Sequence, residues 1–173
     1  MSDGVLSRIN IWRMTMKALF SLAMAALLAA AAVAADSINP KAEALLWYDA
    51  FDGNKPTLLD KIIDQAWVDI PSPPGDHTGP AAAKALLSGL HASFPDFAIK
   101  VEDVLQDGDK VVVRSTISAT LRGPFLGFAP TGRSMKIQAI DIHEFKNGKI
   151  IRTWHTEDWM TGLRELGLMR EPD

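Results

Sequence analysis

The chain has 173 residues, 47% apolar and 23% charged, with a formal net charge of −3. It has no lysine–arginine cluster suited to a phosphate backbone, which argues against nucleic acid as a partner. It has no cysteine, which excludes disulfide stapling, thiolate zinc sites and cysteine nucleophiles.

Arg8, Arg13 and Lys17 precede the apolar run ALFSLAMAALLAAAAVAA, which ends in small residues at Ala32-Val33-Ala34 or Val33-Ala34-Ala35. This pattern predicts a signal peptide over 1–35, leaving a domain over 36–173 that is periplasmic or secreted and meets membrane only during export. The competing reading is a single membrane anchor, opposed by a run that is alanine-rich and short for a span. The prefix holds three basic residues and one acid, so the remainder has 15 basic and 20 acidic residues, a net charge of −5. That length suits one domain with a real core.

Asn39-Pro40 predicts a capped helix start, followed by an inward face of Ala42, Leu45, Leu46 and Phe51 that Trp47 and Tyr48 broaden. A short helix is expected from Thr57 to about Ile63, then a brief strand or wall pair at Trp67 and Ile70. The Pro71–Gly79 region reads as a loop. Thr78 is placed to cap a third helix, Pro80 to about Ser93, burying Ala83, Leu86, Leu87 and Leu90. After Pro95 the apolar period changes to two, giving strands over Phe97–Leu105 and Lys110–Leu121 around Asp107-Gly108. RGPFLGFAPTGR is irregular, and its Phe125, Leu126 and Phe128 serve either core packing or a pocket rim.

SMKIQAIDIHEFKNGKIIRTWHTEDW, Ser134 to Trp159, reads as a long hairpin turning at Asn147-Gly148. Period two puts Asp141, His143 and Phe145 on one face of its first strand. On the second strand Arg152, Trp154, Thr156 and Asp158 share one face, and Ile151, Thr153, His155 and Glu157 the other. A two-residue turn pairs His143 with Arg152, and a turn with a glycine bulge pairs it with Ile151. Acids, histidines and an arginine interleaved with tryptophan suit a polar-lined pocket better than a core. Helices grouped against an antiparallel sheet give an α+β class.

LLWYDAFDGN, FPDFAIKVEDVLQDGDKVVVRSTISAT, GPFLGFAPTGR and AIDIHEFKNGKIIRTWHTEDWMTGLRELG together resemble the SnoaL-like polyketide and ester cyclases, of the nuclear transport factor 2-like superfamily. The resemblance spans nearly all of Ala42 to Gly167. It implies a cone-shaped, cystatin-like fold with a curved sheet wrapped around N-terminal helices, an internal apolar cavity and a homodimer. It also implies intramolecular aldol closure by an acid on the last strand, which falls on Glu157-Asp158 and is matched to Asp158. A histidine on the preceding strand matches His143. The family often has a further histidine in the first wall segment, where this chain has Asp69-Ile70, and His77 is the nearest substitute.

Carbonyl chemistry of this kind needs a base for an α-proton and a donor for the developing enolate. Asp158 is assigned as base and His143 as donor, with Asp141, Arg152, Trp154, Asp69, Phe128 and Trp159 binding substrate. The alternative for Asp158 is a helix cap, and for His143 a structural histidine. Asp141 and Arg152 alternatively form a cross-strand ion pair. His155, on the other face from Trp154, reads as structural or surface, and His91 as a partner of its helix end. No metal and no cofactor is expected, since no spaced ligand set or phosphate-cradling loop occurs. The expected partner is a hydrophobic carbonyl compound, cyclised or isomerised. The alternatives are a non-catalytic carrier of the same fold and a dimer with a remnant cavity.

Overall fold

The computed structural model describes residues 39–72 and 78–169. The expected signal peptide and His77 lie outside these residues. Among those described, no helix is long and apolar enough to cross a membrane.

Helix α1 spans Pro40–Asp52, and the Asn39 side chain caps it by accepting from the Lys41 and Ala42 amides. Its buried stripe is Ala44, Trp47, Tyr48 and Phe51, whereas Leu45 is exposed. The expected inward face is therefore rotated. The i, i+3, i+4, i+7 set beginning at Ala44 collects all three aromatics, which bury far more apolar area than Ala42 and Leu45.

Helix α2, Pro56–Ile62, leads directly into strand β1, Ile63–Ile70. Helix α3, Gly79–Ser93, buries Ala83 and Leu87, and Thr78 makes no side-chain cap there. Strands β2 (Ala98–Asp107) and β3 (Lys110–Thr120) form the first hairpin. Strands β4 (Ser134–Lys146) and β5 (Lys149–Glu157) form the second, with Asn147 at φ 51° and Gly148 at φ 76° in its turn. A short helix α4, Trp159–Glu165, follows.

The strand order is β1-β5-β4-β3-β2. Four strands run antiparallel as expected, but β1 is a full eight-residue strand lying parallel to β5, so the sheet is mixed. Register breaks in the β1–β5, β2–β3 and β4–β5 pairs accompany its curvature, because an extra residue on one strand bends and twists the ladder. On β4 the inward row is Met135, Ile137, Ala139, Asp141, His143 and Phe145. Helices α1, α3 and α4 pack against β2, β1 and β4 respectively. The core continues from Trp47, Phe51 and Leu59 through Trp67 and Leu87 to Val111, Val113 and Ile150.

Candidate active site

The β4–β5 register decides which side chains meet. Lys146 pairs with Lys149 and Phe145 with Ile150, but Glu144 then pairs with Arg152, so β5 carries one extra residue. The bulge leaves Ile150 and Thr153, three positions apart, both buried. Beyond it His143 faces Thr153, Asp141 faces His155, and Ala139 faces Glu157. This matches neither pairing expected from the sequence. A one-residue slip exchanges the faces of a strand, and here it turns Thr153, His155 and Glu157 inward and Arg152 and Trp154 outward.

The inward residues Ala139, Asp141, Thr153, His155 and Glu157 line a cavity of about 610 Å³. Its walls include Trp47 and Phe51 of α1, Trp67 of β1, Leu86 and Leu90 of α3, Ile117 of β3 and Trp159 of α4. The polar lining is Tyr48, Asp69, Ser72, Ser115, Asp141, Thr153, His155 and Glu157, with no lysine or arginine among the described residues.

Around His155, Nδ1 lies 2.9 Å from Glu157 Oε1 and Nε2 lies 3.5 Å from Asp69 Oδ1. Nε2 is buried and has no hydrogen-bond partner among the described residues. The Glu157 hydrogen bond and the neighbouring carboxylates outweigh burial and push His155 up to about 9. Burial pushes Asp141 up to about 6 against the opposing hydrogen bond from Tyr48, whose hydroxyl donates to Oδ2 at 2.6 Å. Burial likewise raises Asp69, partly offset by His155. His143 lies beneath the lining, fully buried, with Nε2 3.1 Å from the Tyr48 hydroxyl and Nδ1 3.0 Å from Thr153 Oγ1. Burial pushes it down to about 3, so it is uncharged.

Of the residues proposed from sequence, Asp69, Asp141 and Trp159 line the cavity and His143 supports it from behind. Asp158 does not line it. Asp158 is solvent-exposed and caps α4 by accepting the Thr161 amide at 3.1 Å, which holds its carboxyl below the usual range. Arg152 pairs with Glu144 at 2.7 Å rather than with Asp141, and its guanidinium lies 5.2 Å from the Trp154 ring centre on the outer face. Phe128 is exposed in a small bridge with Phe125. His155, read from sequence as structural or surface, lines the cavity. His91 contacts the Phe51 carbonyl at 2.7 Å. Sequence reasoning missed Tyr48, Thr153 and His155 as site residues, and of the Glu157-Asp158 pair it chose Asp158 where Glu157 lines the cavity. The adjacent apolar pair Ile150-Ile151 was the available sign of a phase change in β5.

The model of the SnoaL-like polyketide cyclase family matches residues 42–166. The chain belongs to that family. Among solved structures, this SnoaL-like chain is similar to a proposed polyketide cyclase from Bacillus cereus (28% identity, TM-score 0.64), covering 74% of this chain and 80% of that one. It is also similar to IdmH from Streptomyces antibioticus, a proposed polyketide cyclase (26%, TM-score 0.65; 75% and 99% covered). AclR from Streptomyces galilaeus, a proposed hydroxylase, shares the fold at 24% identity and TM-score 0.66, with 78% and 84% covered. No curated protein matches the chain. Within the SnoaL-like frame, the cavity of this chain places an acid on β4 opposite a histidine on β5. Among the described residues no group of three histidines, cysteines or acids is arranged to hold a metal ion.

Proposed function

We propose that this SnoaL-like protein binds a hydrophobic carbonyl compound and catalyses proton transfer beside the carbonyl, as aldol cyclisation or isomerisation requires. One observation carries the reading: Asp141 and His155 are cross-strand partners that both line a largely apolar cavity. With Asp141 at about 6 and His155 at about 9, the first is a carboxylate base and the second a charged donor. Asp141 Oδ2 is engaged by Tyr48, which leaves Oδ1 to take an α-proton. The His155 imidazole, kept charged by Glu157 and Asp69, stabilises the oxygen on which enolate charge develops by its positive charge. In an aldol closure the enolate carbon bonds to a second carbonyl carbon of the same molecule. The resulting alkoxide then recovers the proton from Asp141. Three carboxylates against one histidine favour a ligand uncharged at its polar end over a free carboxylic acid.

The test needs no knowledge of the natural substrate. A bicyclic aryl ketone such as 2-tetralone in D₂O reports α-proton exchange by NMR. Exchange should be catalysed, rise through about pH 6 and decline above about pH 9. Asp141→Asn should slow it about 10²- to 10⁴-fold, the usual worth of a positioned proton-transfer group. Ketone binding with exchange no faster than in buffer would leave the carrier reading standing instead.

A further inference from the structure

The geometry points to Tyr48, His143, Thr153 and Trp67 as a one-way hydrogen-bond relay whose task is to orient the Asp141 carboxylate for proton acceptance. It rests on the reading of Asp141 as the base, yet its direction follows from donor chemistry alone. Trp67 Nε1–H can only donate, and it meets Thr153 Oγ1 at 3.0 Å. The Thr153 hydroxyl hydrogen is then free for His143 Nδ1, also at 3.0 Å, provided that nitrogen is bare. A neutral imidazole with bare Nδ1 carries its proton on Nε2, which donates to the Tyr48 oxygen at 3.1 Å. The Tyr48 hydrogen is thereby directed to Asp141 Oδ2 at 2.6 Å. Oδ2 is thus held as an acceptor, and Oδ1 is the oxygen left to take a proton.

The other tautomer fails on the same count. A proton on Nδ1 would make the imidazole donate to Thr153, leaving the threonine hydrogen with no acceptor among the described residues. It would also draw the Tyr48 hydrogen away from Asp141. All four relay residues are buried, and Trp47 packs across the His143 ring at 5.4 Å. The charged and titratable groups facing Asp141 are Tyr48 from α1, Asp69 from β1, and His155 and Glu157 from β5, with His143 beside it on β4. Of these, Tyr48 alone hydrogen-bonds the carboxylate among the described residues. Tyr48 and His143 are positioning residues in this scheme, acting through Asp141.

Two NMR measurements on the full chain test the relay without requiring turnover. The ¹⁵N shifts of His143 should report a neutral imidazole protonated on Nε2 across pH 5–8, and an Nδ1–H tautomer would overturn the proposal. The ¹³C titration of the Asp141 carboxyl should move upward in Tyr48→Phe by roughly one pH unit, because a donor to the charged form has been lost. Thr153→Val should move it in the same direction and Thr153→Ser should restore it, and an unmoved midpoint in both Tyr48→Phe and Thr153→Val would also overturn it. If the relay stands while ketone exchange is absent, only the catalytic reading fails. If exchange depends on Asp141 while these shifts are absent, only the relay does.

Discussion

Asp158 accepts the Thr161 amide at the start of α4 and stands in solvent, three residues beyond a histidine that faces the cavity. Asparagine retains a capping oxygen but cannot accept a catalytic proton. Asp158→Asn should therefore leave ketone exchange within about twofold of wild type, and Asp158→Ala should lower only the melting temperature. A hundredfold rate loss in the asparagine variant would return Asp158 to the mechanism. The residue types at this site were legible in the sequence, because acids and histidines alternating with apolar groups on a strand are expensive unless they face something polar. Their assignment was not legible. Whether Asp158 or His155 faces inward depends on one unpaired residue near Ile151, and the adjacent Ile150-Ile151 pair signals a phase change without fixing the register beyond it.

Glycines beside α3 separate a conformational cost from a packing one. Gly89 lies in α3 with open space where a Cβ would go, so Gly89→Ala should stabilise the protein by about 0.5–1 kcal/mol through helix propensity. Gly123 lies where the β3–β4 connection docks on the end of α3, and its amide donates to the Ser93 carbonyl at 2.9 Å. A Cβ there would press on the Ala92 carbonyl and come within 3.0 Å of Ser93 Cα, both backbone atoms. Gly123→Ala should accordingly cost about 1–3 kcal/mol. Urea midpoints moving in opposite directions, with unchanged m-values, would confirm the contrast. Equal shifts would mean that the connection moves aside. At this scale the sequence was informative: apolar period and turn residues located the helices, both hairpins and the Asn147-Gly148 turn, though not the inward face of α1. The parallel pairing of β1 with β5 was hidden, since it joins segments some eighty positions apart and no turn between them announces it.

Across the whole domain, three buried or half-buried groups give stability an unusual dependence on pH. His143 is depressed to about 3 in the fold, whereas an unfolded histidine titrates near 6.5. Acidification below 6.5 therefore protonates the unfolded chain first, and the fold loses about 1.4 kcal/mol per pH unit from this group. Asp141 acts oppositely. It is raised to about 6 from 3.8, so between those values the folded form holds a proton that the unfolded form lacks, and acidification stabilises the fold. The two slopes cancel between roughly pH 6 and pH 4. His155, raised to about 9, contributes stability that is full below 6.5 and lost as pH rises through 9. Wild type should thus change little in unfolding free energy from pH 6 to pH 4 on account of this pair. Asp141→Asn removes the compensating group, keeps an acceptor for Tyr48, and leaves His143 buried. That variant should lose about 2 kcal/mol more than wild type over the same interval, measured by urea denaturation at pH 6, 5 and 4. Surface carboxylates such as Asp96 and Glu102, lowered by their hydrogen bonds, contribute equally to both proteins and drop out of the difference. Parallel pH dependences for the two would mean that Asp141 is an ordinary carboxylate, and the base assigned to the cavity would lose its raised proton affinity.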